Sequence, residues 1–173
     1  MITLLLEHAE RQGWPVAFCH LDQPQFWLPE ISHVFHGRDI FAPAAAHLAN
    51  GIALSALGTP LNDPLRLRLP RPERTSAGWR GMIIHVDHFG NLASNIRLEN
   101  LSGWLNAPEA IRVRLCGTEI RGLVKTFGER PPGELVALFG STGNLILSVV
   151  NGSAAQKLGA RVGDAFTVER GPE

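Results

Sequence analysis

Cysteine is scarce in this chain of 173 residues, and net charge is absent. The two cysteines, Cys19 and Cys116, lie far apart and form no CxxC pair or disulfide framework, so a reduced, cytoplasmic protein is the economical expectation. Sixteen Lys and Arg cancel sixteen Asp and Glu, which leaves no electrostatic case for nucleic acid or an anionic membrane. No apolar run approaches the roughly 20 residues that a membrane-spanning helix needs. The N-terminus starts apolar, but it has no basic stretch and no small-residue cleavage site, which argues against a signal peptide. There is no internal repeat and no low-complexity tract. What remains is an ordinary globular composition, long enough for one domain or two small ones.

The apolar spacing predicts a helix over Ile2–Gln12, with Ile2, Leu5, Leu6 and Ala9 on one face and Gly13 as its stop. Residues 16–21 are short, apolar and partly β-branched, which predicts a strand. Pro24 and Pro29 bracket a loop carrying Phe26 and Trp27. A second helix is expected with Pro43 in its first turn, a body over 44–49 and Asn50-Gly51 as its end. This order suggests part of an α/β layer over residues 1–65. Pro60, Pro64, Pro70 and Pro72 then punctuate a segment bearing Arg66, Arg68, Arg71 and Arg74. Residues 66–78 read as a linker whose arginines form a solvated face. From 79 to 173 the pattern is strand and glycine turn, with strands expected at 82–86, 111–115, 120–125, 135–139, 145–150 and 165–169. One short helix is expected at 154–158, closed by Gly159. Such a run of short strands suggests a small β-barrel or sandwich.

Three stretches carry the groups capable of chemistry. The first, Val34-Phe35-His36-Gly37-Arg38-Asp39-Ile40-Phe41-Ala42-Pro43, sets an imidazole, a guanidinium and a carboxylate just ahead of a helix. A buried turn rarely carries that much charge unless the charges do chemistry or pair with one another. His36 is either a general base holding a water or a hydrogen-bonded core histidine. Arg38 and Asp39 are expected to form a local ion pair or to cap the helix. The second stretch, His85-Val86-Asp87-His88-Phe89-Gly90-Asn91-Leu92, ends a strand in a carboxylate, a ring and an amide. Asp87, Phe89 and Asn91 can hold a zwitterion and a heterocycle, or they can simply form a hairpin turn. His85 and His88 fall on opposite faces of a strand and no second ligand pair follows, so no metal site is expected. The third stretch combines Ser141-Thr142-Gly143-Asn144 with Val149 and Asn151-Gly152-Ser153-Ala154-Ala155. It reads as a strand-connecting turn or as a further part of a binding site, and Phe127 reads as a stacking ring or a core residue.

Taken together and in this order, the three stretches resemble the S-adenosyl-L-methionine (SAM) hydroxide adenosyltransferases, the SAM hydrolases related to fluorinating and chlorinating enzymes. The resemblance spans nearly the whole chain. It implies an N-terminal α/β domain followed by a C-terminal β-barrel, with SAM as the substrate and no cofactor. The implied reaction is attack of water on C5′ of the ribose, releasing methionine and leaving adenosine. It also implies a homotrimer whose site lies between one subunit's α/β domain and the next subunit's barrel. By the same resemblance His36 is catalytic, beside an Asp and an Arg that the family carries upstream of the position matching Met1. Asp87 then matches the contact to the methionine amino group, and Asn91 a hydrogen bond to adenine. Phe127 matches the stacking ring, Ser141 the methionine end, and Val149 to Asn151 the adenine edge. Phe89 is expected to stack or to wall the site.

Some positions differ from the family or from its halogenating members. Val34 stands where a hydroxyl residue is usual, and Thr142 where the halogenating relatives carry an arginine. His36-Gly37 replaces the Tyr-Ser pair of the fluorinating relatives, which implies water as the nucleophile. Met1 is expected to match an internal methionine of a longer pattern, whether through a shortened gene product, a misassigned start or a split gene. On that basis the chain holds the barrel and only the last part of the α/β domain, leaving the apolar face of its first helix uncovered. The alternatives are a non-catalytic module that binds SAM or adenosine, and a purely structural fragment.

Overall fold

The computed structural model describes residues 2–171. Residues Met1–Arg68 and Leu69–Glu173 form two compact units. The architecture is mixed: a mainly helical first unit and a second unit built on a nearly closed antiparallel sheet.

In the first unit, helix α1 (Ile2–Gln12) stops where Gly13 turns to φ +65°, with the Gly13 and Trp14 N–H groups donating to Glu10 and Ala9 carbonyls. The expected face is rotated. Thr3 and Leu6 are buried, while Ile2 and Leu5 are 63% and 61% exposed. The reason is what covers the helix. The Thr3 hydroxyl accepts from the Leu67 N–H at 3.1 Å, and Arg66 forms a bidentate pair with Glu10 at 2.7 and 3.0 Å. An irregular segment therefore lies along the stripe through Thr3, Leu6 and Glu10, while Ile2 and Leu5 of the expected apolar face stay uncovered.

The strand expected at 16–21 shrinks to β1 (Cys19–His20), paired antiparallel with β2 (Thr59–Pro60). Pro60 has no N–H to extend that ladder. The α/β layering expected of this unit thus amounts to one two-residue pair. Helix α2 (Ala42–Ala49) matches expectation, with Pro43 in its first turn and Asn50 as its cap. It is entered through a π-helical turn over Gly37–Phe41.

In the second unit the strands are β3 (Glu73–Arg74), β4 (Gly78–Val86), β5 (Leu92–Arg97), β6 (Ile111–Leu115), β7 (Thr118–Arg121), β8 (Leu135–Phe139), β9 (Asn144–Val149) and β10 (Ala165–Arg170). They run in the spatial order β7-β6-β10-β4-β5-β9-β8, with β3 added beside β4. Beyond β7 the chain changes partners. Gly122 donates to Ile111, Leu123 to Pro108, and Val124 to the Ala137 carbonyl on β8 at 3.0 Å. That last bond brings the two outer strands together, and it explains why β7 ends before the expected residue 125.

Inward residues alternate along each strand. Ile83, Leu92, Ile96, Val113, Leu147 and Val168 are completely buried at the centre. The arginines of 66–74 are all exposed, as expected, and some of them also find partners. Arg66 pairs with Glu10 within the first unit, and in the second Arg74 lies 5.1 and 5.4 Å from the ring centres of Trp79 and Trp104.

Strand β5 was not expected, because Ala93, Ser94 and Asn95 are poor strand formers. The structure gives these polar residues work at two register shifts. The Asn95 carbonyl oxygen accepts from Met82 N–H at 2.8 Å, its amide donates to Pro70, and Asn144 donates to the Ser94 carbonyl at 2.7 Å. Polar side chains thereby satisfy backbone groups that the bulges leave unpaired.

Candidate functional site

In the first unit, His36 heads the π-turn and is exposed, so the core-histidine alternative does not hold. The surrounding turn is exposed as well; only Asp39 is fully buried. Asp39 makes the expected local pair, accepting Arg38 Nε at 2.5 Å and Arg38 Nη2 at 3.1 Å, and it also accepts the Ser32 N–H at 2.8 Å. The Asp39 carbonyl in turn accepts from Leu28 N–H. The charge cluster therefore pins the 28–32 loop against the turn that presents His36. The Arg38 hydrogen bonds, then the Ser32 N–H, hold the Asp39 carboxyl below the usual carboxylate range, and the His36 charge adds to this.

The second unit carries a cavity of about 520 Å³ lined by Phe89, Asn91, Phe127, Val149, Asn151, Gly152 and Ser153. Two rings and two primary amides face one space, the mix of apolar wall and few polar groups that suits a small heterocyclic ligand. Three pieces of backbone bring them together.

The first piece is the β4–β5 turn. Asp87 Oδ1 accepts the N–H groups of Phe89 and Asn91, both at 2.9 Å, and Oδ2 accepts Asn91 Nδ2 at 2.7 Å. The backbone closes in parallel, with Asp87 N–H to the Asn91 carbonyl and Gly90 N–H to the Asp87 carbonyl. The hairpin turn is formed, and it places Phe89 and Asn91 at the cavity. Partial burial pushes the Asp87 carboxyl up. Hydrogen bonds from the Asn91 side chain and from the Asn91, Phe89 and Gly90 N–H groups outweigh that and leave it low. With the folded value depressed, this turn gains its full stabilisation above the ordinary carboxylate value of about 3.9 and loses it as pH falls through the folded value.

The second piece is the junction of β9 with helix α3 (Ala154–Leu158). Val149 bridges Gly152, and between them Asn151 takes the left-handed conformation, φ +54°, which asparagine tolerates. Ser153 then caps α3, its hydroxyl accepting Gln156 N–H at 3.1 Å. The two pieces meet at Gly90, at φ +82°, where a Cβ would collide with the Ser153 side chain. The Gly90 carbonyl accepts from Ala155 N–H at 3.0 Å.

The third piece is the short 3₁₀ turn Phe127–Glu129, capped by Glu129 Oε1 accepting the Lys125 and Thr126 N–H groups at 2.8 and 2.9 Å. It leaves Phe127 43% exposed, a cavity wall and not a core residue.

Of the residues expected to bind substrate, the structure therefore groups Phe89, Asn91, Phe127, Val149 and Asn151 at one cavity, with Asp87 bonded to Asn91 directly behind. Ser141 and Thr142 lie elsewhere, in the turn between β8 and β9. The length of β9, about 20 Å of extended chain, separates that turn from Val149. Thr142 donates its hydroxyl to Asn144 within the turn, at 3.0 Å. His88 is exposed beside Phe89. Gly152 and Ser153 were missed as lining residues. Their signal was present, since a serine just before an alanine-rich helix is an N-cap, and a cap fixes the chain entering it. Among the described residues, no group of three or more His, Cys, Asp or Glu is placed to hold a metal, and no helix is long and apolar enough to cross a membrane.

Comparison with known proteins gives the same two-part division. Residues 2–58 match the SAM hydroxide adenosyltransferase N-terminal domain, and residues 81–167 match the C-terminal domain. The chain is 38% identical over 175 residues to the (R)-S-adenosyl-L-methionine hydrolase of Salinispora tropica, covering 97% of this chain and 63% of that protein. It is 38% identical over 137 residues to the protein of the same name from Thermus thermophilus, covering 79% of this chain and 49% of the relative. A fluorinase from Actinoplanes sp. is 32% identical over 178 residues, with 98% and 58% covered. Among solved structures, an uncharacterised conserved protein from Thermotoga maritima superposes with a TM-score of 0.76 at 31% identity, covering 98% of this chain and 64% of that one. The chain thus spans somewhat under two thirds of the length of the relatives it matches. With both domains matched in order, it belongs to the SAM hydroxide adenosyltransferase family.

Proposed function

We propose that the second unit supplies the adenosine-binding half of a SAM-cleaving site, and that the whole protein hydrolyses SAM to adenosine and methionine. The observation that carries this reading is the convergence of Phe89, Phe127, Asn91 and Asn151 on one cavity within a family whose relatives are named SAM hydrolases. In the reaction, the oxygen of water forms a bond to C5′ while the C5′–S bond breaks. Its electron pair returns to sulfur, turning the sulfonium into the thioether of methionine, and the water gives up one proton. The leaving group needs no acid and the step needs no cofactor. What the protein contributes is an oriented, activated water and a dry wall around the ribose. His36 takes the role of holding that water and accepting its proton. Its exposed position on a turn pinned by Asp39 and Arg38 supports access to a ligand. In the same proposal Ser141 and Thr142 serve the amino-acid end, and the whole protein works as a cytoplasmic homotrimer. By the resemblance, His36 works together with an Asp and an Arg. A group of cooperating residues loses most of its effect when one or two are absent.

The test is to incubate the purified chain with SAM and follow adenosine and methionine by chromatography, with calorimetry for adenosine binding. The chain is expected to bind adenosine, and Phe127→Ala to weaken that binding about tenfold, the loss of one stacked ring. Adenosine formation is expected to fall by orders of magnitude in His36→Ala. Robust adenosine formation that survives His36→Ala would remove His36 from the mechanism. A binding-only module is the second reading, favoured by a cavity that the second unit completes from its own residues. It predicts adenosine binding with no turnover even in a full-length relative's frame.

A further inference from the structure

The side-chain amide of Asn91 is held by a charge. One of its N–H groups donates to Asp87 Oδ2 at 2.7 Å, while Asp87 Oδ1 is occupied by the Phe89 and Asn91 backbone N–H groups. An asparagine amide can turn over by 180°, exchanging its oxygen and nitrogen, and in most surface sites the two states are close in energy. Here they are not. The turned state would place the Asn91 oxygen against a carboxylate oxygen at hydrogen-bond distance, two acceptors with no proton between them. The carboxylate is fixed in its turn by two backbone donors, so it cannot rotate away without giving them up.

One orientation therefore leaves the Asn91 carbonyl oxygen and its second N–H for the cavity that Asn91 lines. An adjacent acceptor and donor on one rigid amide match a ring edge that offers an amino group beside a ring nitrogen. This is the pattern by which asparagine recognises adenine through N6 and N7. A 6-oxopurine shows two acceptors on the same edge and can satisfy only the donor.

We propose that Asp87 is a positioning residue, acting through Asn91, whose carboxylate locks the amide so that the cavity selects a 6-aminopurine over a 6-oxopurine. The selectivity rests on the adenosine reading of this cavity; the lock itself does not. This role differs from direct contact with the substrate ammonium, which the family resemblance implies for Asp87, and the two roles separate experimentally.

The test titrates adenosine, inosine and SAM into the full chain and into Asp87→Asn and Asn91→Ala. The unmodified chain should favour adenosine over inosine about tenfold, the worth of one hydrogen bond to a half-buried amide. In Asp87→Asn the second amide can donate or accept, Asn91 is free to turn, and the preference should shrink to about twofold. Asn91→Ala should remove the preference, and adding Asp87→Asn to it should change the ratio no further. Loss of SAM binding in Asp87→Asn with adenosine affinity and the adenosine preference untouched would overturn the proposal in favour of an ammonium contact. A chain that binds neither nucleoside would overturn the adenosine reading and the selectivity with it. The lock has its own readout in the nitrogen–proton NMR signals of the Asn91 side chain. The proton donated to Asp87 should be shifted downfield, and the shift should vanish in Asp87→Asn. Signals identical in the two proteins would refute the lock whatever the ligand does.

Discussion

Replacing Gly90 by alanine is expected to destabilise the second unit by about 3 kcal/mol and to abolish adenosine binding at the cavity. Two independent costs add. A left-handed backbone with φ +82° disfavours any Cβ by about 1–2 kcal/mol, and the new methyl would overlap the Ser153 side chain, an overpacking cost of about 1–3 kcal/mol. Relief by movement is limited on both sides. The Gly90 carbonyl is bonded to Ala155 N–H, and the Ser153 hydroxyl caps α3. Pushing the β4–β5 turn away from α3 moves Phe89 and Asn91 relative to Asn151, so ligand affinity should fall further than stability alone explains. Urea unfolding and calorimetry measure the two effects. A companion change, Ser153→Gly, should restore the part of the loss that comes from the collision and leave the backbone part. A Gly90→Ala protein as stable as its parent would mean that the turn and helix are not in contact as described.

A comparable loss, about 3 kcal/mol, is expected for Leu147→Ala. Leu147 is completely buried on β9, opposite Leu92 on one side and Ala137 on the other. Truncation there removes apolar contact at the centre of the sheet. The flanking strands are held by backbone ladders on both sides and cannot collapse into the hole. Ile146, the next residue, faces the other way and is only partly buried. Ile146→Ala should cost about 1 kcal/mol by comparison. The contrast between neighbours checks the register of β9 directly, because a slip of one residue would exchange the two values. Equal losses at both positions would count against the assigned pairing.

The parts of this fold that are legible in the sequence are those where local pattern and tertiary demand agree. Ile111 to Leu115 and Leu135 to Phe139 carry apolar residues suited to strands between glycine turns, and both form strands with those limits. Helix α3 ends at Gly159, which supplies the left-handed cap. Strand β5 was invisible because its polar residues are selected by bulges in two neighbouring ladders, information carried by Met82, Pro70 and Asn144 and not by β5 itself. The face of α1 was misjudged for a related reason: Thr3 and Glu10 are engaged by Leu67 and Arg66 more than fifty positions later. At the cavity, Phe89, Asn91, Phe127, Val149 and Asn151 were legible as a group, while Gly152, Ser153 and the bonding among the residues were not. Asp87 and Asn91 were singled out as separate ligand contacts, and the structure joins them to each other.

The position of β10 in the sheet bears on how this unit is made. The last strand is not an edge. It pairs with β4 on one side and with β6 on the other, so Met82 finds its partner Ala165 only when nearly the whole unit has been synthesised. The hairpins β4–β5, β6–β7 and β8–β9 form from near neighbours and close early. Until β10 emerges from the ribosome, β4 and β6 each present a bare row of backbone donors and acceptors beside apolar side chains. A nascent chain in that state is a template for unwanted pairing with its neighbours on the same messenger, and the time spent in it is set by translation rate and not by the strength of the finished core.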